Sequence, residues 1–149
     1  MENLRKGGFL ITKIRQLMLS VFDKLLEDYQ IDEITAAQGR VMFPLWRKDN
    51  ISFQTLKKKT MLSKATLSYM LDKLEEAGHI KRIPSENDKR TIHIKLTKKN
   101  KDLQEKFIQV SIQMKDIFYK GFSEKEIDEF EKYLRRLLEN LINYGEQNK

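Results

Sequence analysis

The residues with the clearest chemical potential lie between Ser52 and Thr97, and they suit contact with a polyanion. The segment Lys57–Lys101 contains 13 Lys or Arg and 5 Asp or Glu, a net charge of +8. The whole chain has 29 cationic and 22 acidic residues, so the remaining 16 cationic and 17 acidic residues leave the rest at −1. Positive charge clustered in one segment is typical of surfaces that neutralise phosphates. This segment therefore predicts a nucleic-acid partner.

The sequence offers no convergent set of catalytic or metal-binding residues. It has no cysteine, which excludes disulfides, thiol redox sensing and thiolate metal ligands. Its two histidines, His79 and His93, have no His or Cys neighbour at metal-ligand spacing. It also lacks a glycine-rich phosphate loop and a G-x-S-x-G motif. We therefore predict a protein that is not an enzyme and that holds no metal or cofactor.

The pattern after Ile51 predicts two short helices separated by a tight turn. Ser52 can cap a first helix that runs through Lys59. Ser63 can cap the second, because a serine oxygen satisfies a free backbone N–H of the first helical turn. The second helix has one apolar stripe, at i, i+3, i+4 and i+7, and a glycine stop; these residues are Leu67, Met70, Leu71, Leu74 and Gly78. Its outward face fits either an ordinary solvated surface or a surface that reads base edges.

A strand, a turn and a second strand follow this helix. Apolar and polar residues alternate as in half-buried strands, with Ile80, Ile83, Ile92, Ile94 and Leu96 as the apolar set. The tip Pro84–Arg90 carries two cations, and it is either a solvated turn or a loop that enters a minor groove. We expect His79 to be partly buried and His93 to lie on the outward face, in contact with solvent or phosphate.

Longer amphipathic helices flank this central segment. Thr35 or Asp32 begins a helix that we expect to kink or end early at Pro44. We expect Thr97 to cap a helix that ends at Gly121, and Ser123 with Glu126 to form a capping box for the last helix. The stripes of the first, fifth and sixth helices predict coiled-coil-like packing within one chain or between two. They are Leu10, Ile14, Leu17, Val21 and Leu25; Leu103, Phe107, Val110, Met114 and Ile117; and Phe130, Leu134, Leu137, Leu141 and Tyr144.

These elements predict a mainly α fold with a small β-hairpin wing, a winged helix-turn-helix combined with a helical bundle. We assign residues 32–97 to DNA binding, and residues 1–31 and 98–149 to the helical bundle, as parts of one domain. The longest run without a charged residue is the eight residues Phe107–Met114, well short of a membrane span of about 20 residues. Lys13 and Arg15 interrupt the first apolar stretch, so it is not a secretory signal. We expect a cytoplasmic protein with no membrane partner.

Over essentially its full length the chain resembles the MarR family of transcriptional regulators. The resemblance rests on four motifs that occur in order: Thr35-Ala-Ala-Gln38, Leu62-Ser-Lys-Ala-Thr-Leu-Ser68, Leu74-Glu-Glu-Ala-Gly78, and Asp88-Lys-Arg90 followed after five residues by Leu96-Thr97. The resemblance implies a homodimer that binds pseudo-palindromic double-stranded DNA and is often released by small ligands or oxidation. It also implies that residues 1–31 and 98–149 are the dimerisation region, in which the helices of the two subunits intertwine. The chain departs from the family pattern at Tyr69, where many relatives carry arginine, and at Asn100, where relatives often carry glycine.

The resemblance also implies roles for individual residues. The recognition helix would contact DNA through Ser63, Lys64, Ala65, Thr66, Ser68, Tyr69 and Lys73. The wing would contribute Asp88, Lys89 and Arg90, with Asp88 orienting Arg90 through a charge-assisted hydrogen bond. The helix N-terminus capped by Ser52 would hold a phosphate. A small anionic or aromatic effector would bind near Arg15, Arg40, Met42 and Trp46; in the alternative interpretation Met42 and Trp46 are core and the arginines are surface residues.

Two classes of function stay open at this point. The first is a dimeric regulator, a repressor that binds its operator sequence-specifically. The second is an architectural or protein-interaction module without sequence choice, because a winged helix does not by itself fix function. The ratio of the affinities for an operator and for scrambled DNA distinguishes the two classes.

Overall fold

The computed structural model describes residues 3–149, which form six helices and a three-stranded antiparallel sheet. The elements are α1 (Gly7–Asp28), α2 (Ala36–Arg47), β1 (Ile51–Ser52), α3 (Phe53–Thr60), α4 (Lys64–Glu76), β2 (Ile80–Pro84), β3 (Ile92–Leu96), α5 (Asn100–Phe118) and α6 (Glu124–Gln147). The predicted mainly α fold with a small β wing is confirmed. Residues 1 and 2 of the predicted N-terminal region lie outside the described residues.

The chain divides into two compact units, the first ending at Met114 and the second comprising Lys115–Lys149. One apolar core fills the first unit, and its members at 0% exposure are Val41, Met42, Leu45, Leu56, Leu67, Leu71, Ile94 and Val110. The assignment of residues 32–97 to DNA binding and of the flanking segments to dimerisation stays a prediction. Within residues 3–149, no helix combines the length and apolar character needed to cross a membrane.

Four of the helices have a serine or threonine N-cap at the predicted residue. In each case the side-chain oxygen accepts a hydrogen bond from the backbone N–H three residues later, as it does for Thr35, Ser52, Ser63 and Ser123. The capping box at Ser123 is confirmed, because the Glu126 carboxylate accepts the Ser123 backbone N–H in return. That backbone hydrogen bond holds the pKa of Glu126 below its ordinary value. The boundaries of these helices therefore follow from local sequence.

The predicted early end of α2 at Pro44 is wrong, because the helix continues to Arg47. Proline removes one backbone donor and crowds the preceding turn. The residues beyond it are nevertheless held by tertiary contacts, since Leu45 is completely buried and the Trp46 ring lies 4.8 Å from the Phe107 ring, centroid to centroid. Burial of these side chains outweighs the local cost of the proline.

The register of the sheet corrects the prediction for the first wing strand. Arg82 pairs with Ile94, whereas Ile83 pairs with His93 on the other side of the strand. Ile80 and Ile83 are three residues apart, so they point to opposite faces of a strand with a two-residue repeat. Ile80 and Ile83 therefore do not share the apolar face that the alternating pattern predicted. The residue of β2 that lies on the same face as Ile80 is Arg82. The short strand β1, which the sequence did not predict, pairs with β3 and places β3 in the centre.

The connection from the wing to α5 also differs from the prediction. Thr97 does not cap α5, which begins at Asn100; its hydroxyl instead donates a hydrogen bond to the Gly78 carbonyl. The predicted stripe of α5 is buried as far as Met114, but Ile117 is 47% exposed. The helix ends at Phe118, before the predicted stop at Gly121, which adopts a left-handed φ of +85° in the following turn.

The second unit contains the last turn of α5, a turn and α6. Four of its aromatic rings pack against one another with centroid distances between 4.8 and 6.5 Å, and they belong to Phe118, Tyr119, Phe122 and Phe130. The Tyr119 hydroxyl donates to Glu131 Oε1 at 3.0 Å, and burial raises the pKa of Tyr119. Along α6 the predicted stripe is largely open, with Leu137 48% and Leu141 71% exposed.

Substitution of Gly39 by alanine tests the close contact between α2 and α5. A Cβ atom at Gly39 would lie 2.3 Å from Phe107 Cζ, and the Phe107 ring is itself packed against Phe22 and Trp46. We expect Gly39→Ala to lower the free energy of unfolding in urea by about 1–3 kcal/mol, because overpacking outweighs the gain in helix propensity. Gly145→Ala, which meets no atom within 4 Å, is the matched control and should not destabilise. An equal or higher stability for Gly39→Ala would contradict this assignment.

Candidate nucleic-acid interface

Helix α4 turns one face to the core and the opposite face to solvent. Leu67, Leu71 and Leu74 are at most 1% exposed, and Met70 is half-buried. The predicted contact residues lie on the other side: Ser63, Lys64, Ala65, Thr66, Tyr69 and Lys73 are exposed, and Ser68 is half-buried. Before α4 the chain turns at Met61, whose left-handed φ of 56° ends α3. The structure therefore has the two consecutive helices and the tight turn that the sequence predicts.

Helices α3 and α4 begin with the same Ser-x-x-Thr arrangement. Ser52 accepts the Thr55 backbone N–H at 3.1 Å and donates its hydroxyl to Thr55 Oγ1 at 2.9 Å. Ser63 and Thr66 repeat these two hydrogen bonds with the same distances. Each cap satisfies one first-turn N–H and leaves others of that turn available to an anion. The repeated spacing is visible in the sequence, although the second partner of each pair was not predicted.

Asp88 shapes the tip of the wing. Its carboxylate accepts the Arg90 backbone N–H at 3.0 Å, and its carbonyl accepts the Thr91 N–H at 2.9 Å. The same carboxylate forms an ion pair with Arg90 Nε at 3.5 Å, whereas its hydrogen bond is with the Arg90 backbone and not with the side chain as predicted. The Arg90 side chain is nevertheless 94% exposed, and Lys89 is exposed beside it. Two cations thus project from a turn whose backbone is fixed.

Arg82 is the residue at this site that the sequence analysis missed. From β2 its Nη2 atom reaches α4, 2.6 Å from Asp72 Oδ1 and 2.9 Å from Glu75 Oε1. Its backbone N–H also donates to Glu75 Oε2 at 2.9 Å. The hydrogen bonds from the Arg82 side chain hold the pKa of Glu75 below its ordinary value. The sequence did contain a signal for this contact. Arg82 is a cation on the apolar face of a strand, and Asp72 and Glu75 are acids three residues apart on one face of a helix.

An open groove of ≈ 450 Å³ lies between α3, α4 and the wing. Its lining combines the first turn of α3, the exposed side of α4 and the wing, with the residues Phe53, Gln54, Lys64, Ser68, Arg82, Arg90, Thr91 and Ile92. Three of these side chains are cationic, and one of them, Arg82, is neutralised by its two carboxylate partners. A groove of this kind is suited to a phosphodiester chain.

His79 is completely buried and takes part in a chain of hydrogen bonds. The Trp46 indole N–H donates to Asn100 Oδ1, and the Asn100 amide nitrogen lies 3.1 Å from His79 Nδ1. Because the amide nitrogen must donate, Nδ1 must accept, and the imidazole is neutral with its proton on Nε2. Nε2 faces Glu33 Oε2 at 3.3 Å without the alignment of a hydrogen bond. Burial lowers the pKa of His79, although the nearby Glu33 carboxylate acts in the opposite direction.

The remaining predicted residues lie apart from the groove. Met42 is completely buried and Trp46 is half-buried against Phe107, whereas Arg15 and Arg40 are exposed. This burial matches the alternative in which Met42 and Trp46 are core residues. His93 lies on the wing, with Nδ1 3.3 Å from Asn50 Oδ1. Across residues 3–149, no cluster of three or more His, Asp or Glu side chains could hold a metal ion.

A capped helix, a tight turn, a second helix with an exposed face and a basic β wing together define a winged helix-turn-helix protein. The sequence profile of the MarR family matches residues 34–92. The regulator PecS of Dickeya dadantii is 26% identical over 136 residues, which cover 89% of this chain and 80% of PecS. Residues 34–92 are thus similar to the MarR family, and the curated relatives of the chain are transcriptional regulators of the helix-turn-helix type.

Two solved structures place the whole chain in the same fold. A MarR protein from Peptoclostridium difficile superimposes with a TM-score of 0.87 at 19% identity and covers 100% of this chain and 96% of its own. A cysteine-to-serine mutant of MarR from E. coli, complexed with operator DNA, has a TM-score of 0.73 at 28% identity. That superposition covers 91% of this chain and 99% of the E. coli chain.

The buried His79 makes the stability of the fold depend on pH. The folded protein resists protonation of His79, whereas the unfolded chain takes up that proton near the ordinary pKa of about 6.5. The folded state therefore keeps its full free energy of unfolding, as far as His79 is concerned, above about pH 6.5. Below that pH the unfolded chain binds the proton more readily, and the free energy of unfolding declines. We expect the free energy of unfolding in urea to fall more between pH 7.5 and about 5.5 for the wild type than for His79→Gln.

A nuclear magnetic resonance titration of the imidazole signals provides the control for this prediction. The His79 signal, identified by its absence from the spectrum of His79→Gln, should titrate below the ordinary imidazole value of about 6.5 in the folded protein. A His79 signal that titrates at or above about pH 6.5 would rule out the buried neutral state of His79.

Replacement of Arg82 tests the contact between the wing and α4. Arg82→Met keeps much of the apolar stem but leaves Asp72 without its cation and Glu75 with only the backbone N–H of residue 82. We expect the free energy of unfolding to fall by about 1–2 kcal/mol, near the lower end of the range for hydrogen bonds to charged groups because the site is partly exposed. Lys81→Met on the opposite, exposed side of the same strand is the matched control and should stay within about 0.5 kcal/mol. Equal effects of the two substitutions would argue against a specific contact.

Proposed function

We propose that this protein is a transcriptional repressor that binds a pseudo-palindromic operator as a homodimer. The observation that carries the proposal is the groove that joins the α3 N-terminus, the exposed side of α4 and the Arg90 wing. Its position gives a basic surface next to a helix whose outward residues are small enough to approach base edges. A relative that is 28% identical and has been solved complexed with operator DNA supports the same partner.

The contacts divide into those that read bases and those that hold the backbone. The outward residues of α4 face the major groove in this proposal, namely Lys64, Ala65, Thr66, Ser68 and Tyr69. Ser63 fixes the start of the helix, and Lys73 holds a phosphate. The N-terminus of α3 at Ser52 holds a phosphate through its free N–H groups and its dipole. Arg90, almost fully exposed at the wing tip, enters the adjacent minor groove while Asp88 fixes the backbone that carries it.

The dimer is supported by the apolar side chains that single subunits leave open to solvent. Along α1 they include Phe9, 66% exposed, and Leu17, 65% exposed; along α6 they include Leu141, 71% exposed. Exposed apolar surface along two long helices is typical of a protein-protein interface. A dimer with two recognition helices would read half-sites about 10 base pairs apart, one helical turn of DNA. Release by a small ligand near Arg15 and Arg40 stays a prediction.

Fluorescence anisotropy tests the proposal. The protein is titrated against DNA from upstream of its own gene, against duplexes from a randomised selection, and against scrambled DNA at several salt concentrations. We expect a preference of about 10³-fold or more for a selected site. Affinity should also fall steeply with salt, because several phosphates are neutralised together. Equal affinity for all duplexes would favour the architectural alternative.

Substitution of Arg90 tests the role of the wing. Arg90→Ala should lower the affinity by about tenfold or more and reduce the dependence on salt by about one counterion. Because its side chain is 94% exposed, the stability should change by less than about 0.5 kcal/mol. Lys120→Ala removes an exposed cation from the turn before α6 and should bind like the wild type. Unchanged affinity for Arg90→Ala at the same salt would remove the wing from the interface.

A further inference from the structure

The outward face of α4 lacks most of the side chains that read bases through paired hydrogen bonds. Between Ser63 and Lys73 the sequence contains no Arg, Asn or Gln. Arginine forms two hydrogen bonds to guanine, and Asn or Gln forms two to adenine. The long donors that remain are Lys64, which lines the groove, and Lys73, whose Nζ lies 3.8 Å from Glu76. Hydrogen bonding therefore offers this helix limited means to distinguish bases.

The same face carries an apolar pair instead. Ala65 and Tyr69 are one helical turn apart, so their side chains are neighbours on the helix surface. Both are exposed, and Tyr69 is 64% exposed despite its large ring. The hydroxyls of Thr66 and Ser68 flank them. Since small residues precede Tyr69 on this surface, its ring stands clear of the helix.

Lys73 helps to fix the ring of Tyr69. Its ammonium lies 5.6 Å from the ring centroid, within the range of a cation–π contact. The contact is with one face of the ring, and the Tyr69 side chain remains 64% exposed. The ring is therefore accessible to a base, and the exposed Lys73 lies beside it.

We infer that Tyr69, together with Ala65, reads thymine through its C5-methyl group and that Tyr69 is the main specificity-determining residue of α4. The methyl group of thymine is the apolar feature of the major groove, and apolar side chains recognise it by contact. This inference rests on the proposed function, since it concerns the same recognition helix. It specifies one base of the operator, because each half-site must contain thymine where α4 crosses the major groove.

The test compares thymine with deoxyuridine, which differs only by the missing methyl group. A duplex is first obtained by selection from random sequence with the wild-type protein, and each thymine is then replaced singly. We expect one or two substitutions per half-site to weaken wild-type binding by about threefold to tenfold, the change that corresponds to burial of one methyl group. Thymines outside the half-sites serve as controls.

Two variants connect the effect to the side chain. Tyr69→Ala should bind thymine and deoxyuridine duplexes equally at the position that Tyr69 reads, whereas Tyr69→Phe should keep the preference because it retains the ring. Both variants should fold, since Tyr69 is exposed, and circular dichroism checks this. A wild type indifferent to every replacement, or a Tyr69→Ala protein as sensitive as the wild type, overturns the inference while sequence-specific binding stands. A selection that enriches no motif overturns the proposed function and this inference together.

Discussion

The position of the wing against α4 depends on Arg82. An exposed ion pair contributes little to stability, but this side chain is only 31% exposed and contacts two carboxylates, while its backbone N–H adds a third hydrogen bond. The arrangement also solves an electrostatic problem. Asp72 and Glu75 lie on a helix next to the groove, where unpaired carboxylates would repel a polyanion. Arg82 neutralises them and leaves the charge of Lys64 and Arg90 available.

A second constraint lies beneath this surface, where Trp46, Asn100 and His79 form a continuous polar chain inside an apolar core. The three residues come from the end of α2, the start of α5 and the turn before β2, so the chain joins α2 and α5 to the segment that follows α4. A buried polar chain restricts these elements to arrangements that keep its hydrogen bonds, and Nε2 of His79 is the one nitrogen of the ring without a hydrogen-bond partner. Asn100, a departure from the family pattern in the sequence, is the residue that connects the other two.

The features that the sequence predicted correctly depend on interactions between residues one or two helical turns apart in the chain. The caps at Ser52 and Ser63 and the stripe of α4 depend on spacings of three and four residues, and the fold class follows from their order. The contact of Asn100 with His79 spans 21 residues and that with Trp46 spans 54, so no periodicity reveals it. Arg82 was missed because its role depends on strand register, and α2 passes Pro44 because tertiary burial outweighs a local preference.

The position of Trp46 has a practical consequence for observing the protein at work. It is the single tryptophan of the chain, and it lies where α2 meets α5, beside the Phe107 ring and bonded to Asn100. Indole emission is sensitive to hydrogen bonding and to the polarity of its surroundings. A rearrangement that changes how α2 packs on α5 therefore alters the intrinsic fluorescence of the unlabelled protein. The molecule carries its own optical probe at the contact between these two helices.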